Sequence, residues 1–455
     1  MLERDGIFLN SIIWILLCAC TVVITFRQRR TVGLVAGFLT TFLMNHWLAS
    51  TLYIFSEQTL YPPSNVARGL EQSVLGMIAF AFGVIILAPT FTLWFGQKTT
   101  ANPLPKPGRE LSRQVQFYAI IGSAAYFLTP FISTVPVLNI LAREVAKFAI
   151  LAACLYLYSK IRVNAKNIAL YAVGLGVVFV FIGVVYSGFA SFGSVMAIFF
   201  IMFYLSQSKL DVKRYILLVL IGYLGISGFV AYLENRTEIR AQVWGGGDLE
   251  ARFEAVGNVV SSFELFSPDN PKHVEMVEIR LNRNYFVGKA MANLDYGLVD
   301  YAQGGTIFTA LIAPIPRVLW PDKPTISGGS TLFTQYTGIF TTPNTSTGLG
   351  LLLESYINFG SFGVILLFAL YGLVIGIFDA RARDALDTGN YSLLAVLLLP
   401  GFEMIDPIDA LAGVVAAMIS AWLVVNAVLM AIRIIQGDQS QAQANPVAVV
   451  EPLRK

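Results

Sequence analysis

Ile168-Ala-Leu-Tyr-Ala-Val-Gly-Leu-Gly-Val-Val-Phe-Val-Phe-Ile-Gly-Val-Val-Tyr186 contains no charged residue and no proline. A bilayer core demands roughly 20 apolar residues from a helix that crosses it, with every backbone polar group bonded inside the segment. The stretch therefore predicts a membrane-spanning helix. Comparable runs occur at 7 to 26, 31 to 55, 73 to 95, 115 to 133, 142 to 159, 190 to 207, 215 to 233, 356 to 378, 391 to 405 and 410 to 432, which makes eleven in all. Composition agrees: of the 455 residues 56% are hydrophobic and 13% charged, against roughly 25% charged in soluble domains. The expected fold class is all-α, a polytopic transmembrane helical bundle with one span per run.

The first run is expected to stay as an anchor, because its flank Met1-Leu-Glu-Arg-Asp-Gly6 is mixed in charge and no small-residue cleavage site follows. Cys18, Cys20 and Cys154 all lie in apolar runs, so no disulfide or metal framework is implied. A net charge of +3 is too small to indicate a nucleic-acid partner. What matters is where the basic residues sit.

Alternate connections carry them. Arg27, Arg29 and Arg30 form the first group, then Lys98, Lys106, Arg109 and Arg113, then Lys160, Arg162 and Lys166. Lys209, Lys213 and Arg214, then Arg381 and Arg383, and finally Arg433, Arg454 and Lys455 complete eighteen of the 31 Lys+Arg. The positive-inside rule puts these in the cytoplasm, with the N-terminus outside and the C-terminus inside. Four regions follow: an N-terminal bundle at 1–233, a long outer loop at 234–355, C-terminal spans at 356–435 and a disordered tail at 436–455.

The outer loop is far longer than helix packing requires, and long connections in compact folds tend to be functional or disordered. Its many aromatics, including Tyr301 and Trp320, argue for order. Apolar residues at spacings of 3 and 4 predict amphipathic helices over 249–266 and 272–294. The apolar stretch Thr306 to Trp320 is short and broken by Pro314 and Pro316, which predicts a re-entrant or interfacial segment with Arg317 at the mouth of a cavity. The loop is net acidic, with thirteen Asp+Glu against nine Lys+Arg, so the group Arg280, Arg283, Lys289, Arg317 and Lys323 stands out. Guanidinium groups grip phosphate oxygens bidentately. The alternative is that these side chains snorkel to headgroups or pair with Glu275 and Glu278.

The sequence has no phosphate-binding Gly-rich motif, no dinucleotide fingerprint and no His/Cys zinc constellation, so neither cofactor nor metal is expected. A transferase site on the outer face would need a donor activated before crossing, and a polyprenyl pyrophosphate is such a lipid. Arginines would then neutralise the departing pyrophosphate. His273 and Glu354 are candidates to take a proton from a sugar hydroxyl, with a plain surface role open for His273. His46 reads as a hydrogen-bonded packing residue or an intramembrane functional group. Arg143, Glu144 and Lys147 interrupt the outer end of the fifth run; they pair internally or meet substrate phosphate. Glu403, Asp406 and Asp409 form an acidic group at the turn between the last two runs, read as a polar turn or as a cation or proton path.

Gly304-Gly-Thr-Ile-Phe308, Ile315-Pro-Arg-Val-Leu-Trp-Pro-Asp-Lys-Pro324 and Gly348 through Glu354-Ser-Tyr-Ile-Asn-Phe-Gly-Ser-Phe-Gly363 resemble the Wzy-type oligosaccharide repeat-unit polymerases, O-antigen polymerase-like membrane proteins. In residues the resemblance covers about 280 to 365, and elsewhere it is one of layout. It implies a metal-independent glycosyltransferase of the bacterial inner membrane with a GT-C-like fold. The substrate implied is an undecaprenyl-pyrophosphate-linked oligosaccharide embedded in membrane lipid, polymerised into O-antigen, capsule or exopolysaccharide. A flippase and a chain-length regulator are the implied protein partners. Relatives use outer-loop arginines in an Arg-x10-Gly pattern, which Arg317 to Gly328 fits. On this reading Arg317, Glu354 and His273 are catalytic, while Arg280, Arg283, Lys323, Arg143, Lys147, Tyr301 and Trp320 bind pyrophosphate or sugar. A ligase of the same superfamily shares nearly all these features, and a lipid-linked oligosaccharide flippase would instead place its charges deep in several spans.

Overall fold

In the computed structural model residues 2–57, 59–95, 109–132, 136–163, 167–187, 191–207, 212–315, 319–323, 329–340 and 348–444 are described. They form nineteen α-helices and, among the described residues, no strand. The chain opens with α1 (Leu2–Arg27), α2 (Leu34–Phe42), α3 (Ala49–Phe55), α4 (Pro63–Phe82), α5 (Ala88–Phe95) and α6 (Arg109–Ile132). Two π-helical turns, Leu43–Leu48 and Gly83–Leu87, join α2 to α3 and α4 to α5. Next come α7 (Pro136–Ala146), α8 (Phe148–Arg162), α9 (Ile168–Ser187), α10 (Ser191–Ser206) and α11 (Val212–Trp244). The long connection holds α12 (Leu249–Ser261), α13 (Pro271–Leu281), α14 (Arg283–Asp295), α15 (Gly305–Ile312) and α16 (Gly329–Thr337). The chain closes with α17 (Leu351–Asp387), α18 (Tyr391–Phe402) and α19 (Leu411–Ala444).

Among the described residues each of the eleven apolar runs lies mostly on helix, but they are not alike. Five helices are long and apolar enough to cross a membrane: Glu3–Arg27, Pro63–Leu93, Ile168–Val185, Leu351–Asp387 and Leu411–Ile434. The run at 31–55 is diluted by Asn45 and His46 in its π-helical turn. The run at 142–159 is divided at Lys147, which lies between α7 and α8. The expected region boundaries at 234, 355 and 436 fall inside α11, α17 and α19, so the long connection grows out of continuous helices. The expected disordered tail is helical as far as Ala444, and the remainder lies outside the described residues.

Caps in the sequence set the helices of the long connection. Asp248 accepts from the Ala251 N–H at 2.9 Å to start α12, and Asn270 accepts from the Lys272 N–H at 3.1 Å to start α13. The single amphipathic helix expected over 272–294 is instead two, because Asn282 (φ −87°, ψ 68°) ends α13 and its Oδ1 accepts from the Tyr285 N–H to start α14. Its consequence for the site is that Arg280 and Arg283 are on different helices.

α17 runs through the centre and packs against α2, α4, α14 and α18, while α4 also packs against α1 and α14. Their shared core is aromatic, with Phe38 stacked on Phe80 at 4.5 Å and Phe42 against Phe368 at 5.4 Å. α14 reaches α4 through two glycines: Gly69 of α4 lies on the Asn284 backbone and Gly288 of α14 lies on the Asn65 backbone. Such small-residue contacts bring helix backbones within van der Waals range.

α17 itself is kinked at Phe359 (φ −144°, ψ 26°) and Gly360 (φ 60°, ψ −146°), a conformation open to glycine but not to a side-chain-bearing residue at 360. The segment before α15 repairs the backbone bonds lost there. The Ala302 N–H donates to the Ile357 carbonyl at 2.8 Å, and the Gly304 N–H donates to Asn358 Oδ1 at 3.0 Å. Asn358 Nδ2 donates to Thr306 Oγ1 and the Glu354 carbonyl, both at 2.7 Å. At the other end of α17, Asp379 is buried and accepts from Thr31 Oγ1 and the backbone N–H groups of Val32, Leu34 and Val35 at 2.6 to 3.2 Å, anchoring the start of α2.

Candidate functional site

The site lies at the end of the bundle that carries the long connection, where three pieces meet. The first is the opening turn of α17. The second is the turn between α18 and α19, whose backbone is fixed from several sides: the Leu351 N–H donates to the Pro407 carbonyl at 2.9 Å, the Leu411 N–H to Glu354 Oε2 at 2.6 Å, and Tyr371 Oη to the Met404 carbonyl at 2.8 Å. The third is the start of α14, set against α4 by the paired glycines.

Between them is a cavity of about 10 Å³ lined by Asn45, His46, Arg283, Phe286, Val287, Leu349, Gly350, Leu352, Leu353, Pro407 and Ile408. That is room for about one water. Arg283 is its one lining cation. A guanidinium N–H donates to the Gly348 carbonyl at 3.4 Å, the group lies 5.8 Å from the Phe286 ring centre, and Nε has no partner among the described residues. Burial lowers the Arg283 pKa from its ordinary value, and Asp406 and Asp409 oppose that shift. Arginine keeps its charge under such shifts. The cavity therefore holds a fixed positive charge with unused hydrogen-bonding capacity.

Leu352 and Leu353 stand in the first turn of a helix, where backbone N–H groups have no intrahelical acceptor and the dipole favours negative charge. Asn45 is 5% exposed, its Nδ2 donates to the Thr41 carbonyl at 2.7 Å, and its Oδ1 has no partner among the described residues. His46 Nδ1 is 2.7 Å from Asn284 Oδ1, and Asn284 Nδ2 donates to Ser50 Oγ at 2.8 Å. This network fixes the residue next to Arg283. His46 is thus both a hydrogen-bonded packing residue and part of the cavity wall.

Carboxylates flank the cavity. Asp406 Oδ1 accepts from the Ile408 N–H at 3.0 Å, and Asp409 at the rim is exposed. Burial and the neighbouring Asp409 raise the Asp406 carboxyl to about 6, against the opposing pull of the Ile408 N–H and Arg283. Just before them on the same turn, Glu403 pairs with Lys147 at 2.7 Å, and Lys147 also pairs with Glu144 at 2.7 Å. The Lys147 side chain is 9% exposed, so the α7–α8 junction is joined to this turn by a buried ion triad.

The expected site residues divide on this geometry. Arg283 and the backbone just before Glu354 meet at the cavity. Glu354 is buried, with Oε2 on the Leu411 N–H and a further hydrogen bond to Thr306. Its role is to hold α19 to α17, which corrects the expectation of a carboxylate open to a sugar. Lys147 is consumed by its two glutamates, and Arg143 is exposed on α7. Arg280 is exposed on α13, away from the inward-facing Arg283.

His273 is buried at the start of α13, accepts from the Ser267 N–H at 3.2 Å and lies 6.0 Å from the Phe266 ring. It packs the long connection against α11. Lys323 is buried and donates to the Ala313 and Ile315 carbonyls at 2.8 and 3.0 Å, which stabilises the end of α15. Tyr301 packs at the Gly360 kink, 6.5 Å from the Tyr356 ring, and Trp320 is half-buried. Arg317 and Gly328 lie outside the described residues.

Asn45, Asp406 and Asp409 enter the site beside Arg283, a placement the sequence reading did not give them. Their signal in the sequence is three acidic residues broken by Pro407 inside an apolar C-terminal region, and an Asn-His pair inside an apolar run.

Among the described residues the chain is all-helical, with five helices long and apolar enough to cross a membrane and a charged site at one end of the bundle. Residues 7–406 match a family described as a domain of unknown function (DUF8712), and the chain belongs to that family. The matched region includes Asn45, Arg283, Glu354 and Asp406. No curated protein and no solved structure matches the chain.

Proposed function

We propose that the protein is a membrane glycosyltransferase that polymerises polyprenyl-pyrophosphate-linked oligosaccharide repeat units into a surface polysaccharide. The observation that carries this reading is the Arg283 guanidinium, turned into a cavity with Nε unused and set beside the opening turn of α17. A fixed cation and helix N-terminal amides together suit a phosphate group. In the transferase reaction, charge develops on the pyrophosphate as the anomeric C–O bond breaks, and a preorganised guanidinium stabilises it without reorganisation. A phosphate is larger than the cavity, so binding separates its walls. The resemblance of residues 280 to 365 to the repeat-unit polymerases supplies the substrate class.

On this reading the long connection faces outward from a bacterial inner membrane. The eleven apolar runs span or enter the bilayer, with the N-terminus outside and the C-terminus in the cytoplasm. The exposed aromatics of the long connection, Tyr301 among them, meet sugar rings.

The test is a polymerisation assay in membranes supplied with undecaprenyl-pyrophosphate-linked repeat units, comparing wild type with Arg283→Ala and Arg283→Lys at matched protein levels. The expected result is a glycan ladder for wild type, lost in the Ala variant and strongly reduced in the Lys variant. A wild-type protein that makes no ladder but changes the leaflet in which the units reside would overturn the reading in favour of a flippase.

A further inference from the structure

We infer that Asp406 is the general base of this transferase, receiving the proton of the acceptor sugar's hydroxyl; the inference rests on the transferase reading above. The sequence expectation gave this role to Glu354 or His273. Both are engaged elsewhere: Glu354 on the Leu411 N–H and Thr306, His273 on the Ser267 N–H beneath Phe266. Asp406 differs in how it is held. One oxygen, Oδ1, is fixed by the Ile408 N–H at 3.0 Å, no hydrogen bond from a described residue engages Oδ2, and the side chain is half-buried rather than closed off.

Position supports the role. The next two residues, Pro407 and Ile408, line the same cavity as Arg283, and the charges of Arg283 and Asp406 act on each other. Asn45, nine-tenths buried, also lines the cavity and leaves its Oδ1 without a partner among the described residues, an unsatisfied acceptor suited to a donor hydroxyl. One cation for the leaving group and, beside the same cavity, one open carboxylate for the acceptor suit a displacement at an anomeric carbon.

The step balances as follows. The acceptor oxygen bonds to the anomeric carbon of the donor glycan as its proton passes to Asp406 Oδ2. The anomeric C–O bond to pyrophosphate breaks, and its electron pair leaves on the pyrophosphate oxygen beside Arg283. The groups facing Asp406 are Glu403 and Asp409 of the same turn, Arg283 of α14 and Tyr371 of α17, with Lys147 paired to Glu403 behind them.

The experiment uses the full-length protein in membranes. Elongation with undecaprenyl-pyrophosphate-linked repeat units and equilibrium binding of undecaprenyl pyrophosphate are measured for wild type, Asp406→Asn and Asp406→Glu. Loss of a general base costs about 100-fold or more in rate. The expected result is that loss for Asp406→Asn with undecaprenyl pyrophosphate binding retained, and partial activity for Asp406→Glu with a displaced acidic limb in the rate against pH.

An Asp406→Asn protein that elongates at the wild-type rate overturns the inference while leaving the transferase reading intact. If that variant fails to fold, Asp406→Glu decides, and an acidic limb identical to wild type overturns the inference. A wild-type protein that forms no ladder overturns the transferase reading and the inference with it.

Discussion

Replacing Gly288 by alanine tests how the fold aims Arg283. A Cβ at Gly288 would stand 2.6 Å from the Asn65 carbonyl carbon and 2.8 Å from its Cα, where ordinary contact begins near 3.4 Å. The obstacle is helix backbone of α4, which cannot rotate away as a side chain would. α14 must therefore retreat by about 1 Å, and overpacking of this kind costs about 1 to 3 kcal/mol. The same displacement carries Arg283 and Asn284, five and four residues earlier on the helix, away from α17 and His46. A shift of about 1 Å in a reacting group costs on the order of 100-fold in rate.

The expected outcome for Gly288→Ala is a thermal midpoint lower by about 1 to 5 °C and elongation reduced about 100-fold. Purified protein in detergent gives the first by a melting assay, and ladder formation in membranes gives the second. Gly69→Ala, facing the Asn284 backbone across the same crossing, should act in the same direction. Gly257→Ala is the control, since a Cβ there meets nothing within 4 Å and alanine favours its helix. A Gly288→Ala protein with wild-type melting and a wild-type ladder would refute the argument that this crossing positions the site.

Asp379→Ala removes the acceptor of four buried donors at the start of α2, each unpaired polar group costing about 1 to 3 kcal/mol before solvent relieves some of it; the expected loss is several degrees in melting temperature, larger than for Asp379→Asn. Lys147→Met leaves Glu144 and Glu403 buried without their cation, so it should destabilise by about 3 to 5 kcal/mol, and restoration by the added change Glu403→Gln, read in the same melt, would identify charge as the cause. Elongation should rise with pH through about 6 as Asp406 ionises, which a rate profile in membranes measures directly. The same raised pKa means the folded protein holds that proton more tightly than the unfolded chain. Its contribution to stability is therefore greatest below the ordinary aspartate value of 3.8 and declines as pH rises to about 6, a trend that melting curves across this window report.

Helical character was legible because apolar runs such as Ile168 to Tyr186 leave the backbone no partner in lipid but itself. Apolar periodicity over 249–266 and 272–294 was legible too, and α12, α13 and α14 lie within or beside it. Less of the site could be read. Arg280 and Arg283 are three apart, and only the φ and ψ of Asn282 reveal that a helix ends between them, turning one outward and one inward.

Glu354 and Asp406 look alike as single carboxylates bordering apolar helices. Which one is tied to a backbone N–H in the interior and which keeps an oxygen free depends on the approach of the α18–α19 turn to α17. That approach joins residues more than fifty positions apart. By itself the sequence determined an all-helical chain with membrane-length apolar segments, because both properties follow from the composition and periodicity of neighbouring residues. Tertiary structure alone decided that Arg283, Asn45, His46 and the opening turn of α17 share one cavity with the turn that follows Asp406, because their meeting depends on helix backbones that touch at Gly69 and Gly288, a contact made by residues with no side chain to announce it.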